Sequence, residues 1–153
     1  LWVGRRSKTK QTSPGMLDHL VAGGQPFGIT PYDNMVKECQ EEASIPPSIA
    51  KNVQSGGFVS YNYAKEDDSH IKVDTLFTYD LNVPREFIPT PCDGEVEDFR
   101  LLTIAEVIEH MAPDHPDPFK PNCNLIIIDF LVRRNIITPG MNGYEKIVNS
   151  LRQ

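Results

Sequence analysis

Three closely spaced glutamates are the side chains of this chain best suited to chemistry. Glu38, Glu41 and Glu42 belong to the run KECQEE at residues 37–42. If the run is helical, about 100° of rotation per residue gathers the three carboxylates on one flank and turns Cys39 to the other. Carboxylates this close repel one another unless a cation lies between them, and hard divalent cations prefer carboxylate oxygens. The alternative is a solvated acidic face, which is the commoner origin of such runs.

The helix that would carry these glutamates has a start and an end in the sequence. Thr30 is a good N-cap, and Pro31 suits the first helical position because the N–H it lacks would be unpaired there anyway. Ser44 and the prolines at 46–47 predict an end near Ala43. The acidic run therefore falls in the last two turns of a predicted helix.

The remaining pattern predicts strands and helices mixed along one domain. Strands are predicted at residues 1–5, 17–22, 58–63, 71–81 and 95–102. Helices are predicted at residues 47–53, 104–111, 123–134 (with Asn122 as its N-cap) and 144–151. A charged turn is expected at residues 65–69. Over 153 residues, this mixture predicts an α/β sandwich with helices on both faces of a mixed β-sheet.

The stretch from residue 17 to residue 45 resembles the signature of the Nudix hydrolases. That signature runs Gly, five residues, Glu, seven residues, Arg-Glu-apolar-x-Glu-Glu-x-Gly-apolar. The matching positions are Gly23, Glu38, Cys39, Glu41, Glu42 and Ile45. Ile29 replaces the early Glu, Lys37 replaces Arg and Ser44 replaces Gly. The resemblance implies a Nudix-type α/β/α sandwich in which the three helical glutamates hold divalent metal ions, and Lys37 keeps the charge that orients them.

Similarity to one branch of that family extends over nearly the whole chain. It is carried by residues 2–10, 14–24, 93–97 and 122–131. The branch comprises the fungal Nudix domain found next to thiamine pyrophosphokinase and its plant relatives. The resemblance implies hydrolysis of damaged thiamine diphosphates, such as oxo- and oxy-thiamine diphosphate, to monophosphates. Because members carry a further N-terminal segment, we expect this chain to be cut from a longer one.

Glu95 and Glu97 lie two apart on a predicted strand, so both would point to the same face. The resemblance implies that a carboxylate from this region completes the metal site or serves as the base, with Glu95 the first choice. An exposed strand end is the alternative. The general base is therefore left open among Glu42, Glu95 and Glu97.

Positive charge is concentrated near the N-terminus of an otherwise acidic chain. A diphosphate needs cations besides the metal, and arginine can hold it through two hydrogen bonds. We therefore predict substrate contacts from Arg5, Arg6, Lys10 and Lys37. The pair Gly23-Gly24 would let the backbone approach phosphate. For the N-terminal cations, a solvated loop is the alternative.

Composition limits the class of protein. A net charge of −6 and a pI near 5.1 argue against nucleic acid as a partner. No run of about 18 apolar residues is present, so no membrane association is predicted. Three scattered cysteines imply no disulfide framework and favour a reducing compartment: the cytoplasm, or an organelle if a transit peptide precedes this segment. The four histidines lack ligand spacing and are predicted not to bind metal: His19, His70, His110 and His115.

We therefore predict a Mg²⁺- or Mn²⁺-dependent diphosphohydrolase acting on a small-molecule diphosphate. One rival is an isomerase resembling isopentenyl diphosphate isomerase, a class that uses a catalytic cysteine and a histidine-containing metal site. Another is a non-catalytic Nudix module, which the departures at Ile29 and Ser44 favour. A homodimer and a fusion to another domain both remain open.

Overall fold

The computed structural model describes residues 1–64 and 71–152. The strands are β1 (Trp2–Arg6), β2 (Leu17–His19), β3 (Gln54–Ala64), β4 (Ile71–Asp80) and β5 (Val96–Leu101). The helices are α1 (Pro31–Ala43), α2 (Pro47–Ala50), α3 (Ile104–His110), α4 (Pro121–Arg133) and α5 (Tyr144–Ser150). The turn predicted at residues 65–69 and His70 lie outside the described residues.

The chain divides into two compact units. The first comprises Leu1–Val53 and Leu81–Cys123, and the second comprises Gln54–Asp80 and Asn124–Gln153. Every residue that the sequence predicts for catalysis, metal binding or substrate binding belongs to the first unit. No helix of the described residues is both long enough and apolar enough to cross a membrane.

The first unit is built on a three-stranded antiparallel sheet with the order β2-β1-β5. Gly4 lies at its centre, paired with Asp18 on one side and Phe99 on the other. A Cβ at this position would lie 3.2 Å from the carbonyl oxygen of His19 and 3.3 Å from the Phe99 ring. The strands therefore approach closely where β1 crosses the sheet.

The hydrophobic core of the first unit joins this sheet to α1, α2 and α3. Its most buried side chains are Val3, Leu17, Cys39, Ala43, Ile45, Ala50, Val107, Phe119 and Cys123. Helix α1 contributes Cys39 and Ala43, so its apolar face is buried as the helical pattern predicts. Burial of this face fixes which flank of α1 carries the glutamates.

The second unit contains the antiparallel pair β3-β4, with Val59, Ile127, Leu131 and Leu151 as its buried apolar residues. Asp129 is 1% exposed and accepts hydrogen bonds of 2.8 Å from both Arg133 and Arg152. The aromatic residues of this strand pair include Tyr61, Tyr63 and Phe77. Tyr61 and Tyr63 stack on each other at 6.0 Å between ring centroids, and Phe77 is half exposed.

The predicted α/β class is confirmed, and several boundaries move. Helix α1 spans the predicted residues. Helix α4 begins at Pro121, so Asn122 lies inside its first turn and is not the N-cap. Strand β2 ends at His19 instead of residue 22, and β3 begins at Gln54 instead of residue 58. Both sheets pair antiparallel, and the parallel pairs among residues 1–64 and 71–152 are the isolated bridges Leu17↔Phe119 and Ser60↔Arg152.

Candidate metal and active site

Helix α1 is fixed at both ends by side chains that the sequence identifies. The Thr30 hydroxyl accepts a hydrogen bond of 3.1 Å from the Asp33 N–H, and Pro31 opens the helix. At the other end Ser44 adopts a left-handed conformation, φ 54° and ψ 29°, and its N–H bonds to the Cys39 carbonyl. Its hydroxyl also donates to the carbonyl of Thr90 at 2.9 Å. These caps hold the acidic last turns in a defined orientation.

Glu42 is the most buried of the three helical glutamates, with 6% of its surface exposed. The backbone N–H of Ala22 donates to its Oε2 at 2.9 Å. The pKa of the Glu42 carboxyl is raised to about 7, chiefly by burial and also by the nearby carboxylates of Glu38, Asp93 and Glu95, while the Ala22 hydrogen bond lowers it. The charged form of Glu42 therefore lacks sufficient positive compensation from the protein itself.

Two loop carboxylates join Glu42 in one cluster. Glu42, Asp93 and Glu95 each place one carboxylate oxygen so that all three atoms lie within 4.8 Å of one another. The Glu95 N–H donates to Asp93 Oδ1 at 2.8 Å across the tight turn at Gly94, whose φ is 81°. This bond orients Asp93. All donors are oxygen, the set that Mg²⁺ and Mn²⁺ prefer, so the cluster fits the metals that the sequence predicts.

Glu38 lies against the glycine that precedes the helix. A Cβ at Gly23 would lie 2.5 Å from Glu38 Oε1 and 2.6 Å from its Cγ, both far inside contact distance. The Glu38 side chain is 14% exposed, and its charge contributes to the raised pKa of Glu42. Glu38 and Glu42 are therefore electrostatically coupled.

Glu41 lies in a more exposed environment than the other two glutamates. Lys37 donates to Glu41 Oε2 at 2.5 Å and to Glu38 Oε1 at 3.3 Å. The side chains of Lys37 and Glu41 are 47% and 52% exposed. Glu42 is thus the helical glutamate that joins a cluster with Asp93 and the predicted Glu95, while Lys37 links Glu41 to Glu38.

Glu95 and Glu97 do not share one environment. Strand β5 begins at Val96, so Glu95 belongs to the preceding turn, where it pairs with the ammonium group of Lys10. Glu97 accepts a hydrogen bond of 3.1 Å from the backbone N–H of Lys8. The alternation argument fails here because only one of the two residues is in the strand.

The predicted substrate-binding cations differ in what they already contact. Arg5 bonds to both oxygens of Asp117 and to the carbonyl of Gly15. Arg6 is buried and bonds to Asp18 at 2.7 Å and to the carbonyl of Thr12 at 2.7 Å. Both guanidinium groups therefore hold β1 to neighbouring segments.

Lys10 is the N-terminal cation that stands beside the carboxylate cluster. A cleft in the first unit is lined by residues that include Lys10, Asp18, His19, Ala22, Glu42 and Glu95. Arg6 also lines it. Gly24 has open space where a Cβ would stand, and its carbonyl accepts a hydrogen bond from Asn34 at 3.0 Å. The cleft thus places a cation and several carboxylates around one volume.

Two contributors were not predicted from the sequence. Asp93 was available as an acidic residue in the Asp-Gly-Glu turn next to Glu95, and that turn was the signal. The Ala22 N–H could not be predicted as a hydrogen-bond donor to Glu42 from residue type, because every residue except proline has a backbone N–H.

Comparison with known proteins places the chain in one family. The family model described as NUDIX domain matches residues 1–123. The chain is 48% and 46% identical over 152 residues to Nudix hydrolase 20, chloroplastic, and Nudix hydrolase 24, chloroplastic, both of Arabidopsis thaliana, covering 99% of this chain. An uncharacterized protein of Saccharomyces cerevisiae is 43% identical over 150 residues, covering 90% of this chain.

The chain spans about 40% of the length of these relatives: 40% of each plant protein and 42% of the yeast protein. The family model, by contrast, covers most of the chain and includes all of the carboxylate cluster. The chain therefore belongs to the Nudix family.

Proposed function

We propose that this chain is a metal-dependent diphosphohydrolase that converts a small-molecule diphosphate and water into a monophosphate and orthophosphate. The observation that carries the proposal is the cluster of Glu42, Asp93 and Glu95, with carboxylate oxygens within 4.8 Å of one another. Glu42 is buried there with a raised pKa, a combination that favours a bound cation. The family's use of divalent metals agrees with this chemistry.

Glu42, Asp93 and Glu95 would hold the metal, with Glu38 adding negative charge from the same helix. When bound, a divalent ion supplies charge neutralisation for the diphosphate and lowers the pKa of a coordinated water. The protein's own contribution is positional. The Ala22 N–H fixes one oxygen of Glu42, and the Asp93-Gly94-Glu95 turn fixes the opposing carboxylates.

Proton transfer and substrate binding would use the same cleft. Attack of water on the terminal phosphorus forms one P–O bond and breaks the bond to the bridging oxygen, while a carboxylate takes the water's proton. Glu42 and Glu95 are the favoured bases, since both stand in the cluster, whereas Glu97 is held by the Lys8 N–H. Lys10, paired with Glu95 at the cleft, would contact the diphosphate.

Damaged thiamine diphosphates, such as oxo- and oxy-thiamine diphosphate, are the proposed substrates. The support is the resemblance of four segments of this chain to the Nudix branch found next to thiamine pyrophosphokinase. The names of the plant relatives, Nudix hydrolases, support the reaction class without naming a substrate.

The isomerase alternative is disfavoured by the environment of the helical cysteine. Cys39 is 2% exposed in the core, and burial, with the neighbouring Glu42 and Glu38, raises the pKa of its thiol to about 11. A thiol so placed neither meets a substrate in the cleft nor ionises near neutral pH. A non-catalytic Nudix module would gain no stability from three converging carboxylates, so the cluster disfavours that alternative.

A phosphate-release screen tests the proposal. Diphosphates including thiamine diphosphate and its oxo and oxy forms are incubated with and without Mg²⁺ or Mn²⁺. We expect metal-dependent orthophosphate release that Glu42→Gln abolishes and Glu109→Gln, an exposed α3 residue, preserves. Equal turnover by Glu42→Gln, or saturable metal binding without turnover of any diphosphate, would contradict it.

A further inference from the structure

A second group of metal-ligating side chains lies where β2 meets the start of α4. Asp18 and His19 come from β2, and Cys123 comes from the first turn of α4. One ligand atom from each lies within 4.8 Å of the other two. Asp18 is 7% exposed and Cys123 is 2% exposed. The group is thus largely shielded from water, in contrast to the exposed Asp93 and Glu95.

His19 supplies an independent sign that this group has a ligand. Its Nε2 atom is buried and has no hydrogen-bond partner among residues 1–64 and 71–152. Buried polar atoms in folded proteins are almost always paired, because an unpaired one loses its hydration without replacement. A neutral imidazole nitrogen is also the most frequent metal ligand in proteins.

The existing bonds show how the donors are held in place. The Cys123 thiol donates to Asp18 Oδ1 at 3.0 Å, and the His19 N–H donates to the same oxygen at 2.8 Å. The other oxygen, Oδ2, accepts from Arg6 at 2.7 Å and lies 3.8 Å from the Lys120 ammonium. Asp18 is therefore positioned by Arg6 while Oδ1 faces the thiol.

The donor chemistry separates this group from the carboxylate cluster. Sulfur, imidazole nitrogen and one carboxylate oxygen are the ligand types of three-residue zinc sites. Arg6 and Lys120 oppose a hard cation such as Mg²⁺, which gains only electrostatic energy from its ligands. A metal that forms a strong bond to thiolate has a further source of affinity. Asp18 and His19 also line the cleft, which gives an ion a route to the group.

We propose that Asp18, His19 and Cys123 form a second metal site in this protein, one that takes Zn²⁺ or a similar thiolate-binding ion and not Mg²⁺. Binding breaks the S–H bond of Cys123, releases its proton to solvent and forms a metal–sulfur bond. The histidine spacing in the sequence does not predict this site, because its ligands come from segments about 100 residues apart and only the fold joins them.

Cobalt titration of the whole chain tests the proposal, since Co²⁺ bound to thiolate absorbs in the near ultraviolet and Co²⁺ bound to carboxylates does not. Using Cys92→Ser protein removes the exposed thiol. We expect a saturable sulfur-to-cobalt band that excess Zn²⁺ removes and excess Mg²⁺ leaves. The Cys92→Ser protein keeps all three proposed ligands. If it folds and shows no such band, the proposal is overturned.

Variants then assign the ligands. In the Cys92→Ser background, Cys123→Ser should abolish the band and His19→Gln should weaken or shift it, with folding checked by circular dichroism. Retention of the full band in Cys123→Ser would overturn the assignment, because it would place the metal on Cys39. If Cys123→Ser does not fold, the His19→Gln protein decides, and an unchanged spectrum there counts against the site.

The result is separable from the proposed hydrolysis. Glu42→Gln should lose Mn²⁺-dependent phosphate release and keep the cobalt–thiolate band, whereas Cys123→Ser should keep phosphate release and lose the band. A band that disappears in Glu42→Gln would show that the two groups hold a single ion, which contradicts a second site. Failure of phosphate release in every protein would refute only the hydrolase.

Discussion

The side chain of Glu38 occupies the space that a β-carbon at Gly23 would need. The hypothetical Cβ falls 2.5 Å from Glu38 Oε1 and 2.6 Å from Cγ. Gly23 is absent from the residues with positive φ, so backbone conformation is not what requires glycine here. The leading glycine of the Nudix signature is needed in this chain because it lets a glutamate of α1 lie close against the preceding loop.

Gly23→Ala is therefore expected to weaken metal binding more than it weakens the fold. The methyl group must displace Glu38, which shares the electrostatic environment of Glu42. We expect the Mn²⁺ affinity measured by calorimetry to fall by about tenfold or more, comparable to loss of a residue supporting a metal ligand. Gly24→Ala is the matched control, since nothing lies within 4 Å of a Cβ there. Equal losses in both variants would show that the space at Gly23 is not the cause.

Glu42→Gln should stabilise the metal-free protein at alkaline pH while removing its activity. The folded-state pKa of Glu42 is raised from 4.5 to about 7, so folding disfavours its charged form. The stability associated with the protonated carboxyl is complete below about pH 4.5 and is lost as pH rises through 7. A neutral amide avoids that loss and still accepts the Ala22 hydrogen bond.

Urea unfolding in EDTA at pH 5 and pH 8 measures this effect. The variant should gain on the order of 1–3 kcal/mol relative to the unchanged protein at pH 8, and much less at pH 5. Glu109→Gln, at an exposed position of α3, is the control variant. A Glu42→Gln protein that is equally destabilised at both pH values would mean that the Glu42 charge is compensated within the metal-free fold.

Metal affinity should fall with acidity over the same range. A proton and a cation compete for Glu42, whose pKa is about 7 in the metal-free protein. The deprotonated fraction of such a carboxyl drops about tenfold from pH 8 to pH 6, so the apparent Mn²⁺ affinity should drop by a similar factor. Calorimetry in buffers of different ionisation enthalpy should also detect about one proton released near pH 6. Affinity independent of pH would place the metal away from Glu42.

The sequence predicts most fully those elements whose determinants are local. Helix α1 spans the predicted residues because Thr30, Pro31 and Ser44 mark its ends within a few positions. Strand β2 is shorter than predicted because its apolar run continues past the last residue paired with β1, at His19. The side-chain pattern indicates which residues favour a strand conformation. Strand structure also requires hydrogen bonds to a neighbouring strand, which the pattern does not show.

The carboxylate cluster is predicted in part for the same reason. The helical pattern puts Glu42 on the acidic flank of α1, yet Glu42 is only 6% exposed and its charge helps to raise the pKa of the neighbouring Cys39 thiol. Of the partners of Glu42 in the cluster, Glu95 was expected from the family resemblance, whereas Asp93 was not, because its signal is only the Asp-Gly-Glu turn more than 50 residues later. Helical geometry alone also does not predict where the Glu41 carboxylate lies, because Glu41 forms an ion pair with Lys37, one turn earlier in the helix.

Ser44→Gly tests the last departure from the Nudix signature, at the end of α1. Ser44 has φ 54°, a left-handed conformation that costs a residue with a side chain more than it costs glycine. Its hydroxyl donates to the Thr90 carbonyl at 2.9 Å, an exposed bond that offsets part of the cost. We expect Ser44→Gly to stabilise the protein by about 0.5–1 kcal/mol in urea unfolding, with unchanged Mn²⁺ affinity.

Ser44→Ala separates the two contributions, since it loses the hydroxyl and keeps the strain, and it should be less stable than the unchanged protein. If Ser44→Gly instead proves destabilising, the Ser44–Thr90 hydrogen bond outweighs the backbone strain. Ser44 would then stabilise the end of α1 through its hydrogen bond to Thr90, and its departure from the Nudix signature would not be a defect in the acidic helix.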